Sequence, residues 1–341
     1  MRRKFAWLLL VLVILGGGSA VAWWWAEGRL QAGFAAWRAA AQAQGWTVQA
    51  AQASRSGWPF AVDLDLDGLT IAADQTAMPG GGGYTAEHAV LHVAALHPDQ
   101  LDVRLTGTQR LRGFGAEEVP FTADRLHLTS PLTAPGPVRL DGSRFRFAAP
   151  LEGMTVGLLQ ATARPAAAPG DPIGFTVTAE AIELPPPPAR QPALGNRIAS
   201  ATVEGSLDGT LPPLGPDMAA WAAAWQRGGG GVKLRHVAIG WGPLGLSGSA
   251  ALGLDPALQP AGTATLRLVG YDATLAQLTE HHALTSHQAQ AIRAVLSLLA
   301  RTPEGGGAPE VELPLQVHAG SVSVGEIPVG RMPNIVWPTA R

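Results

Sequence analysis

The chain has 341 residues, 24 Lys+Arg against 26 Asp+Glu, and no cysteine. Near-neutral charge argues against a nucleic-acid partner, which needs a basic face to neutralise phosphates; the missing cysteines exclude a disulfide framework, a thiolate metal site and a Cys nucleophile. With 47% hydrophobic and only 15% charged residues, 42 Gly and 28 Pro, the composition predicts a turn-rich β protein with a core and not a disordered chain.

The basic start Arg2-Arg3-Lys4 is followed by an uncharged run from Phe5 to Trp25. A helix rises about 1.5 Å per residue and needs roughly 20 apolar residues to cross a hydrocarbon core. Residues 1–25 are therefore expected to form a transmembrane anchor. Its charged end belongs in the cytoplasm, Trp23 to Trp25 at the far interface, and the bulk of the chain in the periplasm, an inner-membrane single-pass arrangement. The alternative is a cleaved secretory signal with Ala20-Val21-Ala22 as the small-x-small site. Hydrophobicity that runs on past Ala22 favours the anchor. Gly16, Gly18, Ala20 and Ala22 also give small-xxx-small spacing, which lets two spans pack, although small residues in a short span with no partner are the commoner case.

Residues 26–44 read as helix, with Leu30, Phe34, Trp37 and Ala41 at helical spacing and Gly45 as a stop. From Trp46 the period changes to 2. Val62, Leu64 and Leu66 alternate with aspartates, Leu101, Val103 and Leu105 with Asp102 and Arg104, Phe145 and Phe147 with arginines, and Phe175 and Val177 with threonines. Such alternation predicts antiparallel strands with one apolar face. Gly80 to Gly83 reads as a turn. Pro185 to Pro188 cannot donate to a ladder and marks a break. Beyond it, residues 216–227 read as a helix carrying Trp221 and Trp225. Strands return, then a helical hairpin over 273–300 whose second arm opens with the capping box Thr285-x-x-Gln288. Val311 to Val317 and Ser321 to Val324 close the chain as a hairpin.

The expected fold is thus mainly β: an N-terminal transmembrane helix, then an elongated or curved antiparallel sheet in two halves, with short helices over 26–44, 216–227 and 273–300. The expected organisation is an anchor over 1–25, a β-rich half with a leading helix over 26–184, a Pro-rich linker over 185–197, and a β-rich half with a helical hairpin over 198–341.

Several side-chain groups invite a chemical reading. Asp63-Leu64-Asp65-Leu66-Asp67-Gly68, with Asp74 twelfth, follows the calcium-loop spacing. That motif needs a helix on each side, whereas Gly57 and Pro59 precede a strand alternation. Carboxylates on alternate strand residues lie about 7 Å apart, too far for one ion, so a solvated strand face is expected. His88, His92 and His97 precede a strand, and Glu280, His281, His282 and His287 gather in the hairpin; neither spacing converges three or four ligands on zinc. No nucleophile elbow or phosphate loop occurs. Neither catalytic residues, a metal site nor a cofactor is expected. Trp221 and Trp225 read as packing residues.

The basic head, the span, the helix ending at Gly45, Ser56-Gly57-Trp58-Pro59-Phe60, Leu96-His97-Pro98 and the ending Gly325-Glu326-Ile327-Pro328-Val329-Gly330 with Pro333 together resemble the proteobacterial family called domain of unknown function 2125. The resemblance covers nearly the whole chain. It implies a single-span periplasmic protein, similar in style to the larger AsmA-type envelope proteins whose curved sheets are implicated in lipid movement, and it implies no chemistry.

The favoured expectation is a non-enzymatic, membrane-anchored periplasmic protein that binds or transfers a membrane lipid or another apolar ligand in envelope maintenance. Val62, Leu64, Leu66, Val103, Leu105, Phe145 and Phe147 would line the apolar surface. The alternative is a structural or assembly factor that meets inner-membrane proteins through the anchor helix. A metal-assisted hydrolase built on the Asp63 or His281 group ranks last.

Overall fold

A computed structural model describes residues 23–24 and 28–337, apart from 59, 74–80, 114–116, 133–134, 169, 186–192, 214–216, 303–307 and 326. The expected anchor over 1–25 lies outside the described residues except for Trp23 and Trp24. Among the described residues, no helix is long and apolar enough to cross a membrane.

Helix α1 (28–43) leads into β1 (Trp46–Gln49), β2 (Gln52–Ser56), β3 (Ala61–Ala73), β4 (Gly82–Ala94), β5 (Gln100–Arg112), β6 (Val119–Thr122), β7 (Arg125–Pro131), β8 (Val138–Phe147), β9 (Thr155–Arg164), β10 (Ile173–Glu183) and β11 (Arg197–Asp208). Then come α2 (Met218–Arg227), β12 (Gly231–Trp241), β13 (Leu244–Leu254) and β14 (Pro260–Val269). The hairpin of α3 (Tyr271–Glu280) and α4 (Ser286–Leu299) precedes β15 (Ala300–Arg301), β16 (Glu310–His318), β17 (Ser321–Val324) and β18 (Ile327–Arg331). The fold is mainly β: among the described residues, one large antiparallel sheet with four short helices, close to the spans that periodicity predicts.

The sheet is a meander in which strands pair with their neighbours along the chain. β1 and β2 share one edge of β3. β6 and β7 both lie between β5 and β8. β14 pairs with β16, and β15 and β17 sit on the far edge of β16. β10 and β11 pair directly from Ile173↔Leu207 to Glu183↔Arg197, and Leu184 N–H donates to the Asn196 carbonyl at 2.7 Å. β10 and β11 are thus antiparallel neighbours, and strands from both halves belong to one sheet. Prolines remove donors only where they stand; they do not keep the flanking strands apart.

Local signals explain the helices. Asp217 caps α2 by accepting from Ala220 N–H at 2.9 Å, and Thr285 and Gln288 form a reciprocal capping box at the start of α4. β4 escapes the sequence reading, which places Gly80 to Gly83 in a turn and His88 and His92 ahead of a strand. The reason is a bulge. The β4–β5 register shifts between Ala86 and His88, so the buried residues change from even (Ala86) to odd (Ala89, Leu91) numbers. Gly107 opposite has φ +76, and a Cβ there would come within 2.5 Å of Glu87 Oε2. Glycine fits that site because it has no Cβ.

Two apolar clusters are closed. The first holds Val48, Leu64, Leu66, Leu69, Ala86, Ala89 and Leu91, with Leu30, Phe34 and Ala41 of α1 packed on it. The second holds Leu126, Phe145 and Val156. Leu105 packs against both. The α1 stripe thus covers the first strands, while Trp37 stays half exposed beside Phe34, ring centroids 5.7 Å apart.

Candidate functional site

In an antiparallel ladder, directly paired residues point to the same face. Following the register from β3 gives Leu64–Leu91–Val103–Leu128–Leu140–Ala161–Val177–Val203–Val237–Gly248–Leu266–Leu313. Every member of this row across twelve strands is apolar. At about 4.8 Å per strand it extends roughly 50 Å. Flanking rows repeat the pattern. One is Leu159–Ala179–Ala201–Ile239–Leu246–Leu268–Val311; another is Ala163–Phe175–Gly205–Leu234–Ala250–Ala264–Leu315.

The opposite face is polar and charge-paired. His92 Nδ1 lies 2.5 Å from Asp63 Oδ1, and His88 Nδ1 2.7 Å from Asp67 Oδ1, each across the β3–β4 ladder. Asp124 meets Arg144 at 2.5 Å and Arg146 at 2.9 Å; the hydrogen bond from Arg146 holds its carboxyl below the usual range. The hydrogen bond from Lys233 does the same for Asp208. Glu204–Arg235 and Arg267–Glu312 continue the series at 2.8 and 3.0 Å. Exposed pairs of this kind are screened by water and contribute little to stability. Their main effect here is to keep one face in water.

The seven residues expected to line a ligand surface do share the apolar side of the sheet, but they occupy its closed part. Val62, Leu64, Leu66 and Phe145 are buried, and Val103, Leu105 and Phe147 are half-buried against the two clusters. Beyond the two clusters the row continues. Val203, Val237, Leu266 and Leu313 are only half-buried, and Val177 is 37% exposed. Sequence reasoning left these positions off its list, although Ala264, Leu266 and Leu268 alternate with Thr265 and Arg267 as plainly as the first strands do.

The closed part contains one polar pair. Gln109 is 1% exposed; its Nε2 donates to the Thr106 and Gly107 carbonyls at 3.0 and 3.4 Å, and its Oε1 accepts from the Tyr84 hydroxyl. The pair is satisfied internally, as buried polar groups require. Burial pushes the Tyr84 phenol up from 10.0 to about 12. The unfolded chain releases this proton at the lower value while the folded chain still holds it. Stability is therefore full below pH 10.0 and is lost as the pH rises towards about 12. Denaturation midpoints measured across that range should fall with pH, and Tyr84→Phe should flatten the fall. An equal fall in the variant would assign the effect to other groups.

The remaining groups stay separate. Asp63 and Asp67 each face a histidine, whereas Asp65 accepts from Ser56 Oγ at 2.9 Å; Asp74 lies outside the described residues. Among the described residues, no three His, Asp or Glu side chains gather to hold a metal ion. Asp65→Asn is expected to change stability by no more than about 0.5 kcal/mol, with no calcium dependence of Tm in either form. A calcium-induced rise that the variant loses would restore the metal reading. Trp221 and Trp225 stack at 5.7 Å, donating to the Pro212 and Asp208 carbonyls at 2.9 and 3.1 Å, and Trp225 is buried.

Comparison with known proteins adds location in a family but no activity. No curated protein and no solved structure matches the chain. Residues 23–333 match the family described as uncharacterized protein conserved in bacteria (DUF2125), and the chain belongs to that family.

Proposed function

We propose that this chain is a non-enzymatic envelope protein that holds or passes an acyl chain, or another apolar ligand, on the uncovered part of its sheet. In this reading residues 5–25 span the inner membrane with Arg2, Arg3 and Lys4 in the cytoplasm and the sheet in the periplasm. The observation that carries the proposal is the apolar row from Leu64 to Leu313, buried at Leu64 and Leu91 and only half-buried or exposed from Val103 onward. Large apolar patches on soluble proteins mark a binding surface. Here the rows run across the strands, a direction suited to an extended hydrocarbon, and each buried methylene contributes about 0.8 kcal/mol.

Residues from Trp23 onward, prepared without detergent, should carry lipid that mass spectrometry identifies after extraction. Preparations free of bound lipid that also fail to take up a fluorescent phospholipid would refute the proposal.

A second reading, an assembly factor, draws on α4. Ile292, Val295 and Leu299 leave 39%, 57% and 45% of their surface exposed on one helix face, which suits a protein partner. The row across the sheet draws on twelve strands and the α4 face on one helix, so the ligand-carrying reading stands first.

A further inference from the structure

Large apolar side chains also stand exposed at the end of the first strands. Trp58 and Phe60, 58% and 81% exposed, leave the β2–β3 turn; Leu96, 88% exposed, leaves the β4–β5 turn; Trp24 is 73% exposed. Hydrogen bonds tie these segments together. Ala95 N–H donates to the Phe60 carbonyl at 2.9 Å, Ala61 N–H to the Gly57 carbonyl at 2.9 Å, and Trp23 Nε1 to the Ala61 carbonyl at 2.7 Å. Gly57 has φ +97, and a Cβ there would come within 2.7 Å of the Ala61 carbonyl oxygen. The backbone at Gly57, Phe60 and Ala61, beside the exposed rings of Trp58 and Phe60, is therefore held in place.

The chain itself says what covers this rim. The uncharged run 5–25 ends at the tryptophans, one of which is pinned to the same turn through Ala61. Tryptophan favours the headgroup layer, where an apolar ring meets a polar boundary. No Lys or Arg occurs in residues 56–61 or 94–98, so the rim is built for an apolar contact and not for anionic headgroups.

We infer that Trp24, Trp58, Phe60 and Leu96 sit in the interfacial layer of the phospholipid bilayer that residues 5–25 cross. The inference rests on the anchor reading above. The sheet then stands on the membrane by the ends of β3 and β4 instead of hanging from a loose tether, and the apolar row begins next to the lipid.

The absence of cysteine permits a direct test. The full chain is reconstituted in phosphatidylcholine nanodiscs with a nitroxide on Leu96→Cys, or on Glu280→Cys as a control. Glu280 is exposed on α3, which follows β14 at the opposite strand ends. The label at 96 should collide freely with oxygen and be shielded from a water-soluble nickel chelate, the label at 280 should show the reverse, and high salt should change neither. A label at 96 as open to the chelate as the control overturns the inference, and so does spin–spin broadening at 96, which would put a second copy there. Flotation of the full chain with carbonate-washed vesicles tests the anchor separately. A chain that floats with a water-exposed label keeps the anchor and loses the rim; a chain that does not float loses both.

Discussion

Leu66→Ala is expected to cost about 2–5 kcal/mol, the range for a buried leucine whose cavity does not fully collapse. Leu66 is 1% exposed, among the most enclosed side chains of the first cluster, with α1 packed over that cluster. Against a total margin of about 5–15 kcal/mol for a folded domain, such a loss is large. Leu266→Ala, on the same side of the sheet but half-buried, should cost distinctly less, because less surface leaves water at that position and less packing is lost. Urea denaturation of both variants measures the contrast. Equal losses would mean that the face from β10 to β16 is closed, and the ligand-carrying proposal would then lose its support.

A charge in the uncovered row is expected to abolish binding of an acyl chain while the fold persists. Leu266→Asp places a carboxylate where a hydrocarbon would lie, and the ion must give up water to admit it. Loss of contact with two methylenes alone forfeits about 1.6 kcal/mol, more than tenfold in affinity. Thr263→Asp lies in the same strand on the polar face, exposed, and should bind as the parent does. Val177→Asp, at a position already 37% exposed, gives the same test with less risk to folding. Titration with a fluorescent phospholipid, alongside circular dichroism, reads both outcomes. Full binding in Leu266→Asp and Val177→Asp would show that the ligand, if any, lies elsewhere.

The sequence alone determined the local structure. Period-2 alternation over 62–66, 101–105, 145–147 and 175–178 marked strands that formed, because side-chain direction along a strand depends on the chain itself. Leu30, Phe34 and Ala41 marked the half-buried stripe by which α1 packs on the first cluster, and Thr285 with Gln288 marked the start of α4 to the residue, since a cap is a contact within one turn. Family membership was legible in short motifs spread along the whole chain.

Tertiary structure decided what register and pairing control. Asp63 meets His92, and Asp67 meets His88, only because β3 and β4 align as they do; one residue of slip would turn either partner to the other face. The bulge at Glu87 and Gly107 broke the alternation of β4 and hid it from periodicity. The prolines at 185–188 mark a break between strands, and only the register shows that β10 and β11, on either side of it, pair with each other. The apolar row from Leu64 to Leu313 belongs to no stretch of sequence. Twelve strands contribute one residue each, and the row exists only once eleven ladders have set their registers.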